Sequence, residues 1–436
     1  MTGTPISRAL VDDCFRPGSP RLRHEEALAL LKKRVAPLSA TAVLPIIGAC
    51  GRTLADPITA MTPIPAHTNA AVDGYAFHFT SEIRENGAPL PLAGRASAGH
   101  PLAARPATGT AVRIFTGAVM PDGLDTVVMQ EDVRLAAHDG ASLVHIPAGL
   151  KRGANVRKTG EDVAAGSTLF ARGDTLRPQD LAALAAVGRA TVPVYARVRV
   201  GVVSTGDEVI SPGTKPLAPG QVYDANNPML ATLAALAGAD VETLGIWPDN
   251  LQTITQRLAE AASRFDVILT SGGASQGEED HMATALAAIG TRHLWQIAVK
   301  PGRPMMFGQI RTELGGRDTI IVGLPGNPVA VFVCFLMYVF PLLRAAGGAH
   351  WREPRRFILP AAFEFKNRKP GRREFWRGNI IDGPRGLTVN KFARDGSGLI
   401  SGLRASDGLI DIPEEAGDVA IGTPVAFIPY TEFGIA

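Results

Sequence analysis

Cysteine is scarce in this chain of 436 residues: there are three, Cys14, Cys50 and Cys334, odd in number and far apart. They make neither a disulfide framework nor a CxxC metal site, and a reducing, cytoplasmic compartment is the simplest expectation. Charge of one sign is also lacking. The net charge of +3 argues against a nucleic-acid binder, which concentrates basic residues on one face. No signal peptide is visible, because the N-terminus carries Asp12, Asp13 and prolines in place of a basic start and an apolar run. The longest apolar run, Val329 to Phe340, is ended by Pro341. It falls short of the roughly 20 residues a bilayer needs and reads as a buried helix, so no membrane partner is expected.

What is present is turn-forming residues and core. Apolar residues make up 46% and charged residues 19%, so a sizeable core is expected and bulk disorder is not. The 47 glycines and 33 prolines are spread along the chain and mark many turns. The length implies more than one domain.

The pattern divides as follows. Residues 1–20 read as a leader. Residues 21–44 and 158–195 read as a helical linking domain, with helices from Leu22 and from Pro178. Residues 45–157 show short apolar runs between Gly and Pro, which is a β-rich pattern. Residues 196–348 alternate strand and helix, including a helix capped at Asn226, and imply a parallel, doubly wound α/β sheet. Residues 349–436 return to strands as a small C-terminal β domain. The fold class is thus α/β plus β, with a central sheet domain between β-rich domains.

Three turns follow strand-like runs in the central domain. Thr270-Ser-Gly272-Gly273-Ala-Ser275-Gln276-Gly-Glu-Glu-Asp280-His281 offers backbone N–H groups, a hydroxyl and three carboxylates. Such a turn suits a phosphate-bearing ligand with a divalent cation. Taken alone it reads equally as a glycine-rich connection with a solvated acidic helix start. Gly323-Leu-Pro325-Gly326-Asn327-Pro328 places a good N-cap and a first-turn proline at a helix start, where free N–H groups favour anions. Ser204-Thr205-Gly206-Asp207-Glu208 is the third. Together they read as the carboxyl edge of a parallel sheet, where ligands bind.

Further elements run in order: Asn69-Ala-Ala-Val-Asp73-Gly-Tyr-Ala, Ile114-Phe-Thr116-Gly-Ala-Val-Met-Pro121, Arg157-Lys-Thr-Gly-Glu-Asp162, Lys300-Pro-Gly-Arg303-Pro and Gly371-Arg372-Arg-Glu-Phe-Trp-Arg377-Gly378. With the sheet-edge turns they make the chain resemble the molybdopterin molybdenumtransferases, a family that includes the E domain of gephyrin. The resemblance covers nearly everything after the leader. It implies an elongated homodimer of four-domain subunits, with adenylylated molybdopterin and molybdate as substrates. It also implies Mg²⁺-dependent release of AMP and contacts with a molybdopterin adenylyltransferase and with molybdoenzymes.

The resemblance assigns catalytic roles to Asp73, Asp162, Glu208, Asp249, Asp280 and Lys300, with Glu208, Asp249 and Asp280 acting through Mg²⁺. It assigns substrate contacts to Thr116, Thr205, Gly272, Gly273, Ser275, Arg303, Pro325, Gly326, Pro328 and Arg372. Its site lies in a cleft between the sheet domain of one subunit and the second domain of the other. The charges agree: Lys300 and Arg303 suit anions, and carboxylates near anions need a cation between them. Ala70, Val72, Gln276, His281 and Gln296 depart from the usual family pattern. Gln296 stands where some members carry a second lysine. A nucleotidyltransferase on the shared sheet domain, a protein-binding scaffold, and a paralogue that binds cofactor without turnover are the rival readings.

Overall fold

The computed structural model describes residues 21–38, 40–138, 141–272, 281–302, 304–311, 318–384 and 386–436. Valine- and isoleucine-rich runs build the central sheet. Strand Arg199–Thr205 lies between Asp240–Trp247 and Val267–Ser271, and Asp318–Leu324 follows; these four are parallel. Strands buried on both faces read as continuous apolar runs, and these do. Pro304–Arg311 and Thr291–Gln296 extend the sheet antiparallel. The expected α/β class therefore holds, with a mixed sheet whose last two pairings, both antiparallel, were not legible in the sequence.

Alternation along each strand feeds two cores. Val200, Val202, Leu269 and Val322 face one, with Leu230 and Leu233 of helix Asn226–Leu236. Val203, Ile268 and Ile321 face the other, with helices Leu251–Ala262 and His281–Ile289. Helices on both faces leave the carboxyl edge of the parallel strands open for loops.

The apolar run from Pro328 does not stop before Pro341. An α-helix, Pro328–Cys334, passes into a π-helical turn, Phe335–Val339, and continues as Phe340–Ala346. Proline lacks an N–H, and its ring crowds the carbonyl four residues back. The π turn re-spaces the carbonyls just ahead of it, so that Phe340 N–H reaches Phe335 O. The whole element spans 19 residues with mean hydropathy 2.2, enough by length and composition to cross a membrane. It is 83% buried inside the protein, as the central helix of the core.

Helix His24–Arg34 buries His24, Ala27, Leu28 and Leu31 against that element and the sheet. It therefore packs with the α/β unit and not with the linking segments, which corrects the grouping expected for residues 21–44. An amphipathic stripe shows that a helix docks, not on what. Glu25 at its start pairs with Arg373, which also grips Asp411 at 2.6 and 2.9 Å.

His24 Nδ1 lies 2.9 Å from the Tyr338 hydroxyl, with the ring edge-on to Tyr338 and Phe375. Burial first, then the charge of Arg373, holds the imidazole down at about 3. A histidine neutral in the fold and protonated when unfolded stabilises above its ordinary pKa of 6.5. That contribution is lost as pH falls from 6.5 toward 3. Wild-type stability should fall on acidification through this window by up to about 1.4 kcal/mol per pH unit from this group. His24→Gln, which keeps a hydrogen-bonding side chain without the titration, should flatten the slope of urea-unfolding free energy between pH 6 and pH 4. An unchanged slope would remove His24 as the cause.

The remaining units are mostly β, as expected. A six-stranded sheet runs in the order Thr126–Met129, Gly74–Phe77, Ala111–Ile114, Ala88–Ala96, Ala141–Ile146, Arg134–His138. The linking segments are ribbons more than helices. Thr41–Pro45 pairs with Thr191–Tyr195, Ile58–Thr59 with Thr168–Phe170, and Asn69–Ala70 with Val156–Arg157; helix Pro178–Ala186 is the helical part. The C-terminal sheet takes the two-residue strand Val299–Lys300 as a parallel neighbour of Arg373–Gly383. This pairing fixes Lys300 between the α/β unit and the C-terminal sheet.

Candidate functional site

The order of the parallel strands dictates which loops meet. Asp249 follows one strand, Thr205 to Glu208 the next, Gly272 the third and Pro325-Gly326 the fourth. Gly272 donates its N–H to Leu324 O at 3.1 Å, and its φ of +90° favours glycine. A Cβ there would stand 3.0 Å from Thr205 Oγ1, so the loop lies hard against its neighbour. The Glu208 carboxylate folds back over Gly206, where a Cβ would meet it at 2.5 Å. Asp207 Oδ1 accepts the Asp249 N–H at 3.1 Å and so ties two of the loops.

Asn226 was expected to cap its helix. The N-cap position is Ala225, and the first N–H groups are satisfied by Asp224, whose Oδ1 accepts from Asn226 and Asn227 at 3.1 and 3.0 Å. This frees the buried Asn226 side chain to donate to Ser271 Oγ and Gly326 O, both at 2.7 Å. It is a cross-brace between two of the site loops that no local pattern could reveal, since its partners lie 45 and 100 residues away.

Beside this edge opens a cavity of about 530 Å³ between the sheet domain and the C-terminal β domain. It brings together Gly272, Lys300, Pro325 and Gly326 with Arg377 and Ser397. Lys300 Nζ donates to Glu374 Oε2 at 3.2 Å, and Trp376 Nε1 donates to the same oxygen at 2.9 Å. The Arg377 guanidinium stacks over Phe392 at 5.1 Å and donates to Leu399 O and Arg394 O. Pro328 occupies the first helical turn but does not line the cavity, and neither does Arg372. The Asn327 side chain makes no capping bond, and Val329 N–H is taken by Ser397 O at 2.9 Å, so that helix start is partly satisfied from within. Gly273, Ser275, Gln276, Asp280 and Arg303 lie outside the described residues.

A second group sits elsewhere in the chain. Asp73 accepts from Thr116 N–H at 2.8 Å and from Thr116 Oγ1 at 2.7 Å. These bonds hold its carboxyl below the usual range, and the charge of Arg113 adds to them. Arg113 stacks on Tyr75 and Phe115, with Arg95 over Phe115 as well. Asp162 is exposed on a turn of its own, its N–H donating to Ile64 O at 3.0 Å. None of Asp73, Thr116 and Asp162 lines the cavity, and of the sheet-edge residues Thr205, Glu208 and Asp249 stand outside its lining too.

Among the described residues no three His, Cys, Asp or Glu side chains cluster as a ready metal site. Glu208 and Asp249 supply two carboxylates on adjacent loops. That donor set fits Mg²⁺, which takes one or two protein carboxylates and completes its shell with phosphate oxygens and water.

Comparison with known proteins agrees with this layout. Residues 22–188 match the MoeA N-terminal region (domain I and II), residues 201–345 a probable molybdopterin binding domain, and residues 359–430 the MoeA C-terminal region (domain IV). The molybdopterin molybdenumtransferase of Haemophilus influenzae is 35% identical over 384 residues, covering 88% of this chain and 92% of that one. Gephyrin of Dictyostelium discoideum is 31% identical over 68% of this chain and 46% of its own length. A solved structure of a molybdopterin biosynthesis MoeA protein from Pyrococcus horikoshii superposes with a TM-score of 0.78 at 28% identity, covering 94% of this chain and all of that one. The chain belongs to the molybdopterin molybdenumtransferase family.

Proposed function

We propose that the chain inserts molybdate into adenylylated molybdopterin, with Mg²⁺-dependent release of AMP, to give molybdenum cofactor. The observation that carries this reading is the cavity of about 530 Å³ with Lys300 and Arg377 on its wall, beside loops bearing Glu208 and Asp249. Cations suit a tetrahedral dianion and a pyrophosphate. Carboxylates at the same edge suit a metal that stands between them and those anions. Bound there by Glu208 and Asp249, with Asp280 as the further expected ligand, Mg²⁺ would polarise the phosphoanhydride and stabilise the leaving AMP.

The chain's own residues bind and orient. No protein nucleophile is needed, because the substrate's sulfurs replace oxygens on molybdenum. Cys334 fits that view: burial pushes its thiol up to about 12, so it is no thiolate. The Lys300–Glu374 pair sets the ammonium in place and tempers its charge, so an incoming anion competes with Glu374.

Asp73, Thr116 and Asp162 stand on the β-rich and linking segments and not at the sheet edge, which suits a site completed by a second subunit. Exposed Val43, Ile47 and Met61, at 68%, 91% and 74%, supply apolar surface on the linking unit for a homodimer contact. A molybdopterin adenylyltransferase would supply the substrate and molybdoenzymes would take the product. The free Cys50 and Cys334 suit a reducing cytoplasm.

The test is to incubate purified protein with adenylylated molybdopterin, molybdate and Mg²⁺, then to ask whether the product activates an apo-molybdoenzyme. Molybdate-dependent activation is expected; activation equal to a protein-free control would sink the reading. Within that assay, Lys300→Ala should raise the molybdate needed for half-maximal turnover by roughly tenfold or more, about 1.4 kcal/mol. Gln296→Lys, four residues earlier, should lower it. An unchanged titration in Lys300→Ala would leave Arg377, Arg303 and backbone N–H groups as the anion binders.

A further inference from the structure

A second cleft lies where the linking ribbons meet the α/β unit, beside the amino end of strand Arg199–Thr205 and so at the opposite end of that strand from the site loops. Arg52, Arg197 and Arg344 converge on it from three separate segments, and no carboxylate lines it. Tyr195 packs the two units together: a Cβ on Gly348 would stand 2.1 Å from its ring, and Arg172 Nε donates to its hydroxyl at 2.7 Å.

Each guanidinium carries five N–H donors. Arg52 spends one on Tyr195 O at 2.7 Å, and Arg344 spends one on Thr175 Oγ1. Among the described residues none of the three arginines has a carboxylate partner within ion-pair distance. Asp174, next in sequence to the Thr175 that Arg344 bonds, faces His350 at 3.8 Å.

Like charges brought together and partly desolvated are costly unless an anion joins them. Arg52 shows that cost from within the cleft; Arg344 shows the burial part of it, its charged neighbour lying outside the cleft lining. Burial, then a neighbouring arginine (Arg197 for the first, Arg352 for the second), pushes each guanidinium below its ordinary value. The cleft is shallow and small, about 20 Å³, so an ion held there would sit partly in solvent and a nucleotide would not be enclosed.

We infer that this cleft binds a small tetrahedral oxyanion of the phosphate or sulfate class, held by Arg52, Arg197 and Arg344. The ion would clamp the linking unit to the α/β unit, since its ligands come from both. This site is independent of the cavity beside Lys300 and of the reaction proposed for it.

The experiment is calorimetric titration of inorganic phosphate, and separately of sulfate, into the full chain at fixed ionic strength. Melting temperatures are read alongside. Arg197 is exposed and its replacement by Gln should leave the fold intact, as circular dichroism would check. Expected are saturable binding in wild type and binding weakened at least tenfold in Arg197→Gln and in Arg52→Gln. Lys300→Ala should leave binding unchanged. Binding lost in Lys300→Ala but kept in the arginine variants would place the ion in the other cavity. An equal rise in melting temperature in all proteins, without saturable heat, is the general effect of excluded salts. Either result overturns the inference.

Discussion

Glu208→Gln should lower turnover at least about a hundredfold at moderate Mg²⁺ while leaving the melting temperature nearly unchanged. Glu208 is exposed on the loop after strand Arg199–Thr205, and its carboxylate folds back over Gly206. Gln keeps the shape and removes the charge. Surface substitutions of this kind cost little stability. The proposed reaction, in contrast, would gather a pyrophosphate and a dianion beside protein carboxylates, an arrangement that a cation makes favourable. Raising Mg²⁺ should recover part of the loss, because the weakened site still has Asp249 beside it. Asp280→Asn should behave alike. The measurement is rate against Mg²⁺ concentration in both variants. Wild-type rates at saturating Mg²⁺ with an unchanged half-saturation would end the metal-ligand role.

Mixing two inactive chains should restore activity. Asp73→Ala removes a carboxylate on the β-rich unit, and Glu208→Gln removes one on the sheet domain. The two groups stand on different units of the chain, Asp73 before strand Gly74–Phe77 and Glu208 after strand Arg199–Thr205, and neither lines the cavity beside Lys300. If each site takes its sheet edge from one subunit and Asp73 from the other, a hybrid dimer has one site with both defects and one with none. After subunit exchange of equal amounts, half the dimers are hybrid, so about a quarter of the wild-type sites return. Asp73→Ala alone should be nearly inactive and still folded, since its two bonds to Thr116 lie at the surface. No recovery, with hybrids demonstrated by mass spectrometry of differently tagged chains, would confine the site to one subunit.

The parts of the site legible in the sequence are those written locally. Thr205 to Glu208, Gly272 and Pro325-Gly326 follow apolar runs that could only be strands, and parallel strands put their turns on one edge. Lys300 was found by its motif, but its placement comes from a two-residue pairing with Arg373–Gly383, too short to leave a periodic signal. Arg377 stood in the same motif as Arg372. What separates them is the loop of Phe392 to Ser397, which packs over Arg377 and closes the cavity from that side. Asn226 was read as a cap because caps are local; its bridging bonds to Ser271 and Gly326 are not. Pro341 looked like a helix end because proline ends most helices, and the π turn that accommodates it has no sequence signature.

The most direct measurement is a count of AMP released per molybdenum cofactor formed, with molybdate present and then omitted. Adenylylated molybdopterin, Mg²⁺ and the purified chain are held constant in both arms. The expected result is release that depends on molybdate and tracks cofactor formation one for one. AMP release without incorporation of molybdenum, or binding of the adenylylated pterin with neither product, would contradict the assignment.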